Sequence, residues 1–119
     1  MGILQKIFGK KKVKNPEDDF VVTITDEYVK VEHPARKTEI ANWTTLQGIK
    51  LINTDAGPAL PDIWLMLICS DSGCLIPHGS KGYDDVYAIV SKYEGFNFEN
   101  VIQSMGFAGN AEFLLWIKK

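Results

Sequence analysis

Cys69, Cys74 and His78, spaced C-x4-C-x3-H, form the tightest cluster of side chains able to bind a metal or attack an electrophile. A structural zinc site needs four such ligands at short recurring spacings, and no fourth follows at any of them, so no metal is expected. If Ser70-Asp71-Ser72-Gly73 is a hairpin loop, the two cysteines face each other on neighbouring strands, within disulfide range. In a cytosolic chain two reduced, partly buried thiols are the expectation. Cys74 and His78 also supply a thiol and a base, but Pro77 separates them and no third group orients the imidazole. His33 and His78 are the only histidines, so any Ser-His or Cys-His arrangement would have to use one of them.

His78-Gly79-Ser80-Lys81-Gly82 has the glycines and the lysine of a phosphate loop without the G-x-x-x-x-G-K-[ST] order. It reads as a turn that leads to a helix. The aspartates Asp55, Asp62, Asp71, Asp84 and Asp85 lack calcium-loop spacing, and aspartate suits turns and helix starts on its own account. If the loop holding Asp55 and Asp62 shares one end of a sheet with the first helix, these residues make an acidic surface. Of the three tryptophans, Trp64 sits in an all-apolar run and belongs to the core. Trp43 and Trp116 are placed at the core edge, where Trp43 is an anchor candidate for a partner. No cofactor is expected, and the chain reads as non-enzymatic.

Charge separates two regions. Lys6, Lys10, Lys11, Lys12 and Lys14 put five positive charges and no negative one into residues 1–14. Taking them from the thirteen basic residues leaves eight against fifteen acidic ones in the remaining chain, a balance of −7 behind a net charge of −2. An acidic body disfavours nucleic acid and suits a basic protein partner. Ile3, Leu4, Ile7 and Phe8 with Lys10, Lys11 and Lys12 suit an anionic membrane surface, as about two turns of amphipathic helix. Lys6 breaks both a secretory apolar run and a myristoylation signal. The longest apolar run, Ile63 to Cys69, is too short to cross a bilayer, and a cytoplasmic location is expected.

The elements that would position these residues belong to one domain over residues 20–119, preceded by a flexible tail and polar linker over residues 1–19. Phe20, Val22 and Ile24 alternate with Val21, Thr23 and Thr25 up to Asp26-Glu27, which predicts a hairpin. Its register puts Val22 opposite Val31 and Ile24 opposite Val29, with His33 at the rim beside Phe20. Thr38 to Ala41 is an edge strand, Leu46 to Asn53 a strand, residues 54–62 a long loop, and Ile63 to Cys69 a central strand covered on both faces. Cys74 to Ile76 returns beside it, and Pro77 stops the ladder. Tyr83 to Tyr93 reads as a helix capped by Ser80. Asn97 caps a second helix, whose buried stripe is Phe98, Val101, Ile102 and Met105. Ala111 to Ile117 is a last strand, with Phe113, Leu115 and Ile117 on one face. The fold class is α+β, an antiparallel sheet of about five to six strands with two consecutive helices on one face and a C-terminal strand.

The string Asn42-Trp43-Thr44-Thr45-Leu46, Ile49, Asn53-Thr54-Asp55-Ala56-Gly57-Pro58, Asp62-Ile63-Trp64, Leu75-Ile76-Pro77, Phe96-Asn97 and Phe113 with Trp116 covers most of residues 20–119. It resembles a group of small uncharacterised bacterial α+β proteins. Members of such groups resemble immunity proteins of toxin–immunity systems, which implies an acidic, non-enzymatic chain that binds a cognate toxin domain. The order of tryptophan, strand, Ile-Pro and helix is also similar to bacterial pleckstrin-like domains, from which the final strand departs. The expected function is a protein-binding module that neutralises a basic toxin domain through Asp55, Asp62, Asp71, Asp84, Asp85 and Trp43. A membrane-surface adaptor and a small-molecule enzyme or binding protein are the alternatives.

Overall fold

A computed structural model describes residues 16–55 and 62–119. After a short 3-10 turn at Pro16–Asp19 come β1 (Val21–Ile24), β2 (Tyr28–His33), β3 (Arg36–Asn42), a second 3-10 turn (Trp43–Thr45) and β4 (Leu46–Asn53). The chain continues through β5 (Ile63–Cys69), β6 (Gly73–Pro77), α1 (Tyr83–Val90), α2 (Phe98–Met105) and β7 (Ala111–Ile117). The described strands form one antiparallel sheet of seven, ordered β1-β2-β3-β6-β5-β4-β7. This is an α+β fold with one or two strands more than expected. Two meanders, β1 to β3 and β4 to β6, meet side by side, and β7 returns on the far edge next to β4.

Short-range patterning set the first hairpin. Val22 lies opposite Val31 and Ile24 opposite Val29, while Val21 faces Glu32 and Thr23 faces Lys30. The turn is tied by the Thr25 hydroxyl, which accepts the N–H groups of Glu27 and Tyr28 at 3.1 and 3.0 Å. Beyond the last pair, the Phe20 and His33 rings pack at 4.5 Å, and the His33 Nδ1 accepts the Ala35 N–H. β3 is longer than expected and internal, between β2 and β6. Its junction with β6 is thin: Ile40 pairs with Gly73, and beside that pair the Glu39 carboxylate accepts the Leu75 N–H at 2.8 Å. A side chain thus takes up a backbone donor that would otherwise be orphaned where the two meanders meet.

The core lies between the sheet and the helices. Ile49 and Leu51 of β4, Leu65 and Leu67 of β5, Ile76 of β6, and Val86 and Val90 of α1 are fully buried. The other face of β5 is less closed than its apolar run suggested: Met66 and Ile68 remain half-buried. Trp64 is the exception, covered by the Phe20 ring edge at 5.5 Å and by the Arg36 guanidinium at 5.0 Å, a cation–π contact. The cysteines do not face each other. Cys74 pairs with Leu67 and Gly73 with Ile68, so Cys69 lies beyond the ladder, and both thiols are free and buried.

Ser80 does not cap α1. Its hydroxyl is buried and donates to the Pro77 carbonyl at 2.8 Å, closing the turn out of β6. Gly82 holds the cap position at φ 102°, where a Cβ would lie 2.9 Å from the Val22 Cβ. Glycine is required there twice over, by backbone conformation and by the closeness of β1. α1 also stops three residues short of Tyr93, and the chain turns through Gly95 at φ 89°.

Burial pushes the Cys74 thiol up to about 12, with help from Glu39 and Cys69, and the Tyr83 phenol up to about 12, with help from Tyr87 and Asp84. Both groups stay neutral in the fold while the unfolded chain ionises first, from about pH 9 for the thiol and 10 for the phenol. Their contribution to stability is therefore complete below pH 9 and is lost as pH rises towards 12. The urea midpoint should fall across that window, and Tyr83→Phe should flatten the part above pH 10.

Candidate functional site

α2 is amphipathic, and it is turned away from the expected packing so that most of its apolar stripe is exposed. Phe98 is 53% exposed, Ile102 66% and Met105 49%, although their i, i+4, i+7 spacing is that of a core stripe. Val101, half-buried, and Ser104, fully buried, turn toward the body, and the Phe98 ring, though half exposed, packs on the buried Phe96 at 4.8 Å. At 3.6 residues per turn the helix stands rotated by roughly a quarter turn from an apolar-in orientation.

Polar anchors hold it there. Ser104 Oγ donates to Asn53 Oδ1 at 2.6 Å, and Asn53 Nδ2 donates back to the Ser104 carbonyl at 2.9 Å and to the Phe107 carbonyl at 3.3 Å. Asn53 ends β4 and is itself buried, so this small network is shielded from water. At the other end the Asn97 side chain accepts the Asn100 N–H at 2.9 Å, and the Asn97 N–H donates to the Leu115 carbonyl at 2.7 Å. Asn100 Nδ2 donates to the Leu114 carbonyl at 2.7 Å. The helix is therefore pinned along β7 by its polar side, and its apolar side is left to solvent.

β7 contributes to the same result. Ile49 pairs with Trp116 but Lys50 with Leu114, so Leu115 is an extra residue in a bulge. The bulge breaks the expected alternation: Leu115 is buried while Ile117 is 57% exposed. A hollow of about 400 Å³ opens there, lined by Trp43, Tyr93, Glu94, Trp116, Ile117 and Lys118 among others. The Trp43 indole N–H donates to the Thr25 carbonyl at 2.9 Å and that of Trp116 to the Glu94 carbonyl at 3.1 Å. Tyr93 packs on Trp116 at 4.9 Å, and burial raises its phenol pKa. Both indoles are locked by their polar edges, and the hollow they line is a rigid, largely apolar surface.

At the Met105 end lies a second hollow, of about 320 Å³, whose walls include Asp55, Asp62, Ser104, Met105 and Phe107. The Asp62 carbonyl accepts the Thr54 N–H at 2.8 Å, which brings the stems of the 54–62 loop together. Asn110 Nδ2 donates to Asp55 Oδ1 at 2.9 Å and the Asp55 N–H donates to Asn110 Oδ1 at 3.1 Å, which fixes that carboxylate. The Met105 end of the apolar stripe thus borders an acidic hollow.

The residues singled out from sequence fall in several places. Asp55 and Asp62 share the acidic hollow. Asp85 lines a different one beside β1, with Asp18, Val22 and Lys81, and Asp84 is exposed on the first turn of α1. Asp71 lies past the opposite end of β5 from Asp62, with the seven residues of the strand, about 23 Å at strand rise, between them, in a turn whose Ser70 N–H donates to the Thr45 carbonyl. It therefore neighbours the Trp43 turn. Ile3, Leu4, Ile7, Phe8, Lys10, Lys11 and Lys12 lie outside the described residues.

Phe98, Ile102 and Met105 were missed as surface residues because helical spacing alone points them inward. The available signal was the polar trio Asn97, Asn100 and Ser104 on an adjoining side of the same helix. The hollow beside Cys74 is lined by Glu39, Met66, Ser72 and Leu75 among others and contains no histidine. His78 is exposed and packs edge-on against Tyr83 at 4.9 Å. Among the described residues no three His, Cys, Asp or Glu side chains gather as a metal site, and no helix is long and apolar enough to cross a membrane. Comparison with protein-family models, with curated proteins and with solved structures finds no match for the chain.

Proposed function

We propose that the chain is a non-enzymatic protein-binding module, of the kind that immunity proteins represent, for a basic partner with an apolar centre. The observation that carries this reading is the outward stripe of Phe98, Ile102 and Met105 on α2, a helix already held by polar bonds to the sheet. A contiguous apolar surface with a polar rim is the mark of an interface, and i, i+4, i+7 anchors fit a groove on a partner. Asp55 and Asp62 at one end supply steering charge, and the balance of −7 beyond the tail selects a basic partner.

The test starts from a partner captured with the full chain and identified by mass spectrometry. Ile102→Asp is expected to weaken its binding by about tenfold or more, the cost of losing a central anchor, with the melting temperature unchanged. Neutralising Asp55 and Asp62 together should mainly slow association and reduce its salt dependence. A partner that binds Ile102→Asp as tightly as the parent would overturn the stripe as its interface.

A further inference from the structure

We infer that the chain pairs with a second copy of itself through the face of the sheet turned away from α2. Directly paired residues of neighbouring strands point to the same face, so the register lays that face out in rows. One row runs Ile40, Gly73, Ile68, Gly48 and Ile117, across β3, β6, β5, β4 and β7. The next runs Leu75, Met66, Lys50 and Leu114. Ile52, two residues on from Lys50, joins Trp64 in a third. Leu51 and Asn53 alternate with these positions and point to the opposite face, where Asn53 holds Ser104 of α2. Ile40 is 39% exposed and Leu114 43%, while Met66, Ile68, Leu75 and Ile52 are half-buried. Monomers seldom leave so continuous an apolar face to water.

Charge selects the occupant. Lys50 and Glu112 are the charged residues that the register puts on this face from β6 to β7, and they bond each other at 3.1 Å. The face is therefore neutral, although the chain beyond residue 14 carries a balance of −7. Asp55 and Asp62 lie beside Met105 of α2, and Asp84 and Asp85 on the first turn of α1. A basic partner would find the Glu112 carboxylate already paired, and a second copy would meet no uncompensated charge like its own. Size agrees with that choice. Five strands and three rows span about 24 by 20 Å at sheet spacings, or about 1,000 Å² for two copies, the lower bound of a specific interface. Both copies present the same patch, as a two-fold interface requires, and open sheet faces stack well. An interface of that size dissociates in the micromolar range or above. It leaves both α2 stripes free, so this dimer goes beyond the partner reading without resting on it.

The experiment follows the mass of the full chain by sedimentation across the micromolar range. The mean mass is expected to climb from the 13.3 kDa of one chain towards twice that. Methyl signals of Met66, Ile68 and Leu114 should shift along the same curve, while that of Ile102 stays in place. Met66→Lys, near the centre, and Leu114→Lys, at an exposed position that spares the fold, should each raise the dissociation constant about tenfold or more. A single-copy mass up to millimolar concentration, a dimer indifferent to Leu114→Lys and Met66→Lys, or a dimer lost on Ile102→Asp with the sheet methyls unmoved would each overturn the proposal. A monomer whose captured partner is lost on Ile102→Asp removes the dimer alone. A dimer whose partner binds regardless of Ile102 removes the α2 interface alone.

Discussion

Asn53→Leu is expected to destabilise the fold by about 2–4 kcal/mol and to loosen α2 from the sheet. The replacement is close in size, so the cost is not a cavity. Leucine removes the acceptor of the Ser104 hydroxyl and the donor to the Ser104 and Phe107 carbonyls at a site where Asn53 and Ser104 are both buried. The buried Ser104 hydroxyl would be left without its acceptor, and the Ser104 carbonyl would keep only the backbone N–H groups of the helix end. Against a domain stability of about 5–15 kcal/mol this is a large fraction. Equilibrium urea unfolding gives the size, and hydrogen exchange of the α2 amides shows whether the helix loosens ahead of the rest. The double variant with Ser104→Ala should cost less than the two single changes together, because removing both partners leaves fewer orphans than removing one. Strict additivity would mean that the network does not act as a unit.

Leu65→Ala and Ile102→Ala form the second test, because both truncate an aliphatic side chain that sequence pattern assigns to the core. Leu65 stands between Leu51 and Ile76 at the sheet centre and is fully buried. Its truncation should cost about 3–4 kcal/mol, transfer and cavity terms together. Ile102 is 66% exposed, and its truncation should stay within about 0.5 kcal/mol. Equal costs would mean that α2 packs apolar-in and would remove the interface with it. The contrast therefore measures the orientation of the helix directly. It is also the control that Ile102→Asp requires, since a binding loss counts for the interface only if the fold is intact.

Much of the framework was legible from neighbouring residues. The β1–β2 register follows from period-two alternation on either side of a two-residue turn, and the bounds of β4 and β5 follow from apolar runs ended by turn residues. The Asn97 cap was legible because capping is local, a side chain meeting a backbone N–H three residues on. Three features were not. β3 read as an edge because nothing local says that a second meander will dock beside Ile40. The β7 bulge depends on its pairing with β4, more than fifty residues away in sequence. The rotation of α2 depends on Asn53, which reaches Ser104 across the same kind of distance.

Fold class, the first hairpin and the two helices were legible in the sequence, since propensity and periodicity are read from residues near one another. Tertiary structure alone decided which side of α2 is surface. Helical periodicity defines an apolar side without saying which way it points, and here a buried Asn–Ser pair and two further asparagine bonds outweigh that preference. It also divided the aspartates, gathering Asp55 and Asp62 beside Met105 and sending Asp71 to the far end of β5. Side chains on different loops meet only when the sheet brings their strand ends together, and strand order is a long-range property that local pattern does not carry.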